Sequence, residues 1–369
     1  MRHAVTALAL ALALVACRSP ESPPAETEAV EHLTEADYDH FDKIDLHAHI
    51  HAEDGEFVDL ARQDRFRFVN IATHAADPDE MRMRHETVFT QIEAHPDRVL
   101  AVVSFPMQGW DDEDWAERTI RYLDEAFNRG AVGVKVWKNI GMEFRDRNGD
   151  LVMMDDPRFD PVFEHLVERN VPVIGHLGEP RECWLPVEQM VTHKGYFSTH
   201  PEYHMYLHPE MPSYEDQLAA RDGLLERNPK LRFAGAHLGS LEWSVDALAA
   251  FLDRFPTVIV ETAARVRDLQ YQSGRDRERV RNFMIEYQDR IAYGTDLVVG
   301  PTAPTEEAIA AARVRWRSDW RYFATDGVVE VRQLDEPVQG LELPRTVVEK
   351  LYRLNAERFF GDLWRAPRT

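Results

Sequence analysis

Lys43-Ile44-Asp45-Leu46-His47-Ala48-His49-Ile50 is an apolar, β-prone run that closes on two histidines one residue apart. Side chains alternate along a strand, so His47 and His49 project together, away from Leu46 and Ala48. Two imidazoles on one face of a strand end are the beginning of a metal site. The run also opens a series. Phe66 to Thr73, Arg98 to Phe105, Ala131 to Trp137, Val171 to His176, Leu231 to His237, Thr257 to Glu261 and Arg290 to Asp296 are runs of the same kind, eight in all. Helical patterns separate them: Glu80 to Ala94, Glu113 to Asn128 with Gly130 as its stop, Pro161 to Asn170, Tyr214 to Arg227, Leu241 to Arg254, and a long one through Tyr287. A last helix, Arg345 to Phe360, follows. Near-continuously apolar runs match parallel strands buried on both faces. The alternation predicts an α/β fold, and eight units over roughly 320 residues favour a (β/α)8 TIM barrel over a doubly wound sheet. No glycine-rich dinucleotide or phosphate fingerprint follows the first run.

Composition narrows the partners. The formal net charge of -22 argues against nucleic acid, because a phosphate binder needs a basic surface. A hydrophobic content of 44% is enough for the bulk of the chain to fold. At the N-terminus, Met1-Arg2-His3 is basic and Ala4 to Ala16 is almost wholly apolar, too short to span a bilayer and suited to a signal-peptide core. Leu14-Val15-Ala16-Cys17 resembles the lipobox of bacterial lipoproteins, which implies cleavage before Cys17 and lipidation of its sulfur. The expected layout is a signal peptide over 1–16, a lipidated Cys17 with a flexible tether over 17–40, rich in Pro, Glu, Ser and Ala, and the barrel over 41–369. The protein is then exported and held on a bacterial membrane, on its periplasmic or cell-surface side, by the lipid anchor alone. Cys183 is the one other cysteine, so no intramolecular disulfide remains, and it receives no role.

In a barrel, chemistry gathers where strands end and βα loops begin. His47 and His49 close the first run, His176 the fifth, His237 the sixth and Asp296 the eighth. Small residues flank the lone histidines, in Gly175-His176-Leu177-Gly178 and Ala236-His237-Leu238-Gly239, and leave room for an ion or ligand. These residues, with Gly294-Thr295-Asp296 and the closing Leu343-Pro344 through Asn355-Ala356-Glu357-Arg358-Phe359-Phe360-Gly361, resemble the amidohydrolase superfamily. Within it they resemble the amidohydrolase-related branch that includes aminocarboxymuconate semialdehyde decarboxylase, over about Phe41 to Asp362. The resemblance implies a divalent metal, zinc foremost with manganese or iron as alternatives, held by His47, His49, His176 and Asp296. It implies His237 as acid/base beside that metal. Asp296 is also placed to take a proton from a metal-activated water. The expected activity is hydrolysis of a small amide, ester or lactone. Metal-dependent decarboxylation is the alternative, and a catalytically silent metal-binding scaffold is a reading from another class.

Other residues keep two readings each. Lys135 lies on the fourth run, where binuclear members of the superfamily carry a carboxylated lysine bridging two metals; it could equally hold a substrate anion or pair with a carboxylate. Glu261 and Arg265 follow the seventh run, and Arg265 points either to an anionic substrate or to a structural ion pair. The loop from Glu179 to Ser213 carries His193, His200, His204 and His208 among aromatic residues, and reads as a surface excursion or as an aromatic lid. A second long segment, Leu297 to Leu341, with Trp316, Trp320, Tyr322 and Phe323, is expected to cover the same mouth.

Overall fold

The computed structural model describes residue 1 and residues 32–52, 55–73 and 77–361. Residues 2–31, where the expected signal peptide, Cys17 and most of the expected tether fall, lie outside the described residues. The eight predicted runs become strands β1 (Lys43–Ile50), β2 (Phe66–Ala72), β3 (Val99–Val103), β4 (Ala131–Val136), β5 (Val173–Gly175), β6 (Phe233–Gly235), β7 (Val258–Glu261) and β8 (Ile291–Ala292), and a further short strand, β9 (Leu297–Val299), follows them. They form one parallel sheet in the order β8-β7-β6-β5-β4-β3-β2-β1-β9. The eighth run supplies β8, which pairs with β7; β9 begins just past that run, in the segment read as a loop, and pairs with β1, so the last stave has two halves. The residues between the two halves complete the ring. Leu46 N–H donates to Tyr293 O at 3.0 Å, and Asp296 N–H donates to His47 O at 2.8 Å. The fold is therefore the expected (β/α)8 barrel, with its last stave broken at Asp296.

The strands are buried on both faces, as their composition requires. Ile44, Leu46, Val69, Ile71, Leu100, Val102, Val132, Ile174, Ala234 and Ala292 form one apolar cluster, joined by Phe359 and Phe360 from the end of the chain. It draws a residue from nearly every strand, and its one substantial helical contribution is the closing helix Asn355–Phe360, which marks it as the barrel interior plugged at one end. The pairing of β1 with β2 slips between Asp45 and Ala48. Strict alternation thus fails at Leu46, which joins the inner cluster, while His47 and His49 still serve one site.

Around the sheet lie α1 (Glu56–Ala61), α2 (Pro78–Ala94), α3 (Trp115–Asn128), α4 (Asp160–Glu168), α5 (Tyr214–Arg227), α6 (Val245–Arg254), α7 (Val266–Ser273), α8 (Arg277–Glu286) and α9 (Thr305–Ala324). The helix expected to run unbroken through Tyr287 is two, because Asp276 caps α8 by accepting the N–H of Arg279. No helix among the described residues is long and apolar enough to cross a membrane.

Two boundaries differ from the sequence reading. Residues 33–40, assigned to the tether, belong to the folded body. Leu33 and Tyr38 are buried, Glu35–His40 forms a 3-10 helix, and Trp320 Nε1 donates to Thr34 O at 3.0 Å. The acidic composition there masked a Leu33–Tyr38–Phe41 spacing that caps the start of β1. The segment Leu297 to Leu341 does not cover the mouth. Its α9 packs outside the barrel, where Trp316 stacks on Phe66 at 4.2 Å between ring centroids and Trp320 meets Phe41 at 4.9 Å. The other long loop does reach the mouth. Its residues Cys183, Met190, Phe197 and Met205 form, with Met142, a small apolar core separate from that of the barrel. Cys183 is buried there and donates to Tyr203 O, in keeping with no chemical role.

Candidate metal centre

His47 and His49 leave the end of β1 and meet Asp296 at the break in the last stave. His47 Nε2 lies 3.6 Å and His49 Nε2 3.4 Å from the same Asp296 Oδ1. The far nitrogens are committed elsewhere: His49 Nδ1 to Ile71 O at 2.8 Å, and His47 Nδ1 to Glu261 Oε1 at 2.9 Å. A carbonyl and a carboxylate only accept, so each Nδ1 carries the hydrogen and each Nε2 presents a lone pair. This is the arrangement that orients ligating histidines. Two imidazole lone pairs and one carboxylate, within 4.8 Å of one another, suit zinc and other first-row divalent ions. The donor set therefore fits a divalent metal. Asp296 holds φ +60°, a left-handed conformation that only Gly, Asn and Asp visit routinely.

Two buried carboxylates fix this geometry. Asp45 accepts the N–H of His47 and of Thr295, both at 3.0 Å, as well as the Thr295 hydroxyl. It ties the first stave to the last just behind the ligands, and burial pushes its carboxyl up to about 7 despite those bonds. Glu261, fully buried at the end of β7, accepts from His47 Nδ1, from the N–H of His237 at 2.8 Å and from the N–H of Ala263. The sequence reading gave Glu261 no defined role; the structure joins it to the two histidines. Lys135 is buried with Nζ 3.3 Å from His47 Nε2, and burial pushes its pKa down to about 8.

His237 follows β6 on an unusual turn. His237, Leu238, Gly239 and Ser240 all have φ between +57° and +60°. For residues with a Cβ this costs about 1–2 kcal/mol each, so surrounding contacts must hold it. His237 Nδ1 donates to Ala263 O at 2.9 Å, which leaves Nε2 facing the cavity, 3.2 Å from His176 Nδ1. Burial, reinforced by His176, holds the His237 pKa well below the ordinary histidine value. His176 shares the cavity but is not one of the three converging donors, His47, His49 and Asp296. Its Nδ1 faces His237, and its buried Nε2 lies 3.7 Å from Glu179 Oε2 without a hydrogen bond.

The cavity measures about 410 Å³. Beyond the histidines and Asp296 it is walled by Trp137 and Lys138 after β4, by His193, Tyr196 and Tyr203 from the long loop, and by Arg265 after β7. That loop is thus a wall of the site. Of its four histidines only His193 lines the cavity: His200 and His208 bond within the loop, and His204 is committed to Leu185 O. Lys138 is buried in an ion pair with Glu179 and lies 3.8 Å from the Tyr203 ring centre, pinning the loop to β4. Sequence reasoning missed Asp45, Lys138, Glu179 and Thr295. For Asp45 a signal existed, since a carboxylate inside an apolar run needs a buried partner.

Comparisons with known proteins agree with this architecture. No curated protein matches the chain. Among solved structures, 2,6-dihydroxybenzoate decarboxylase complexed with 2,6-dihydroxybenzoate aligns with a TM-score of 0.51 at 17% identity, over 86% of this chain and 99% of that one. The 2,6-dihydroxybenzoate decarboxylase from Rhizobium aligns with a TM-score of 0.50 at 16% identity, over 86% and 98%. A Pseudomonas putida protein assigned as a 2-pyrone-4,6-dicarboxylic acid hydrolase gives 0.50 at 12% identity, over 88% and 99%. At such identities the likeness is one of fold. The amidohydrolase family model matches residues 15–361, nearly the whole chain, and the protein belongs to that family.

Proposed function

We propose that the protein is a metal-dependent hydrolase acting on the carbonyl of a small amide, ester or lactone. The observation that carries this reading is the convergence of the His47 and His49 lone pairs on Asp296, with His237 Nε2 opening into the same cavity. His47, His49 and Asp296 would hold the metal, with His176 as a further candidate ligand. When bound, a divalent ion there supplies Lewis acidity, polarising a carbonyl oxygen and lowering the pKa of a water from 15.7 to about 7.

The chain's own groups do the rest. Asp296 offers a carboxylate oxygen that can take a proton. His237 presents an unprotonated Nε2 that can orient a nucleophile or receive a proton. Lys135 and Arg265 place positive charge where an oxyanion or an anionic substrate group would sit. The cavity volume fits a small molecule. Zinc is the first choice of metal, with manganese and iron as alternatives.

Chelation is expected to abolish turnover of amide, ester and lactone substrates, and zinc or manganese to restore it. Turnover that survives complete metal removal would refute the reading. Release of CO₂ in place of new amine, acid or alcohol would make the enzyme a decarboxylase of the amidohydrolase-related branch. A metal-loaded protein silent in both assays would be a scaffold.

The export reading rests on Leu14-Val15-Ala16-Cys17. We propose that Cys17 is lipidated and tethers the barrel to a bacterial membrane, on its periplasmic or cell-surface side. Metabolic labelling with a fatty acid should mark the wild type and vanish in Cys17→Ser; equal labelling of both would sink it.

A further inference from the structure

The left-handed turn after β6 is held from outside the cavity, by residues to which neither the family match nor the proposed chemistry gives a part. Arg221 on α5 is buried, and its Nη1 donates to Gly239 O within the turn. Its guanidinium is itself fixed, paired with Asp222 at 2.7 Å and lying 4.0 Å from the centre of the Phe251 ring. Tyr214, the first residue of α5, is buried and donates its hydroxyl to Ser240 O. That hydroxyl in turn accepts from Trp243 Nε1 at 2.9 Å. Ser240 Oγ donates to Gly178 O at 2.7 Å, joining the turn to the loop that carries His176. One helix therefore satisfies two successive carbonyls of a turn whose backbone an ordinary sequence would leave. The turn begins at His237.

The long loop rests on the same point. Its Trp184 meets the Tyr214 ring edge-on at 5.5 Å, and its Arg181 lies 4.3 Å from the centre of the Trp243 ring.

We infer that Arg221 and Tyr214 are positioning residues for His237: by holding the Gly239 and Ser240 carbonyls they keep the left-handed turn that aims its Nε2 into the cavity. The inference rests on the proposed acid/base role of His237 only for its effect on rate. Its effect on the imidazole stands without it. Neither residue lines the cavity, so neither should alter substrate binding or metal binding directly.

The test uses full-length, zinc-loaded protein carrying ¹⁵N-labelled histidine, with the His237 ring signals identified by their absence in His237→Asn. In Tyr214→Phe and Arg221→Met these signals should shift or broaden, and in Arg221→Lys, which keeps a donor for Gly239 O, they should move back toward wild type. Zinc content should stay the same. With 4-nitrophenyl acetate as the probe, kcat should fall by about tenfold to a hundredfold while KM changes less than twofold, as for a misaimed catalytic group. Unchanged His237 signals in Tyr214→Phe would overturn the inference. So would a loss of zinc in step with the signal change, since that would mean general collapse of the site. If Arg221→Met fails to fold, Tyr214→Phe decides alone. If His237→Asn turns over the ester at the wild-type rate, the acid/base role falls, and the ring signals still decide the positioning.

Discussion

Asp296→Asn is expected to fold, to keep the shape of the site and to lose about 10²–10⁴-fold in turnover, the range for removing a positioned proton acceptor. Asparagine is nearly isosteric with aspartate and is among the few residues that tolerate φ +60°, so the broken last stave should survive. The Asp296 N–H to His47 O bond is made by backbone and is untouched. What disappears is the negative charge facing two imidazole nitrogens and the capacity to accept a proton. The check is kcat on whichever substrate the wild type turns over, together with metal content and circular dichroism. Turnover within a few-fold of wild type would remove Asp296 from the chemistry.

Glu261→Gln should act at a distance from the substrate and still be severe. Glu261 meets three donors, His47 Nδ1 and the N–H groups of His237 and Ala263. A carboxylate serves all three; a glutamine has one acceptor oxygen and turns an NH₂ group toward at least one donor. The His47 tautomer loses its anchor, and with it the aim of Nε2. Removing such a partner of a ligating histidine typically costs 10–100-fold in metal affinity. The same substitution loosens His237, so activity should fall even when metal is saturating. Competition against a chelator measures the first effect, and turnover at saturating zinc the second. Unchanged zinc affinity would show that Glu261 does not orient a ligand.

How far the sequence could be read differs between parts of the molecule. The strands were legible because a parallel strand buried on both faces must be apolar along its whole length, and α3 between two of them stops at an ordinary signal, Gly130, whereas the cap at Asp276 went unread. His47, His49, His237 and Asp296 were legible because polar residues ending apolar strands need a reason to be there. Less could be read where one signal had two meanings. The aromatic residues of α9 looked like a cover for the mouth and are packing against β2 and the residues before β1. The aromatics of the 179–213 loop looked the same and do wall the cavity. Hydropathy reports that a ring is buried and is silent about what it is buried against.

By itself, then, the chain determined the order of its staves, which ends of them carry imidazoles and carboxylates, and so the kind of chemistry available. Local periodicity and composition suffice for that, since each stave's burial is written into its own residues. Only the tertiary structure decided that Glu261 serves His47 and His237 together, that His176 turns to His237 and Glu179, and that α5 grips the turn carrying His237. These are contacts between residues far apart in sequence. Their distances are set by ring closure and helix packing, which no stretch of the chain encodes alone.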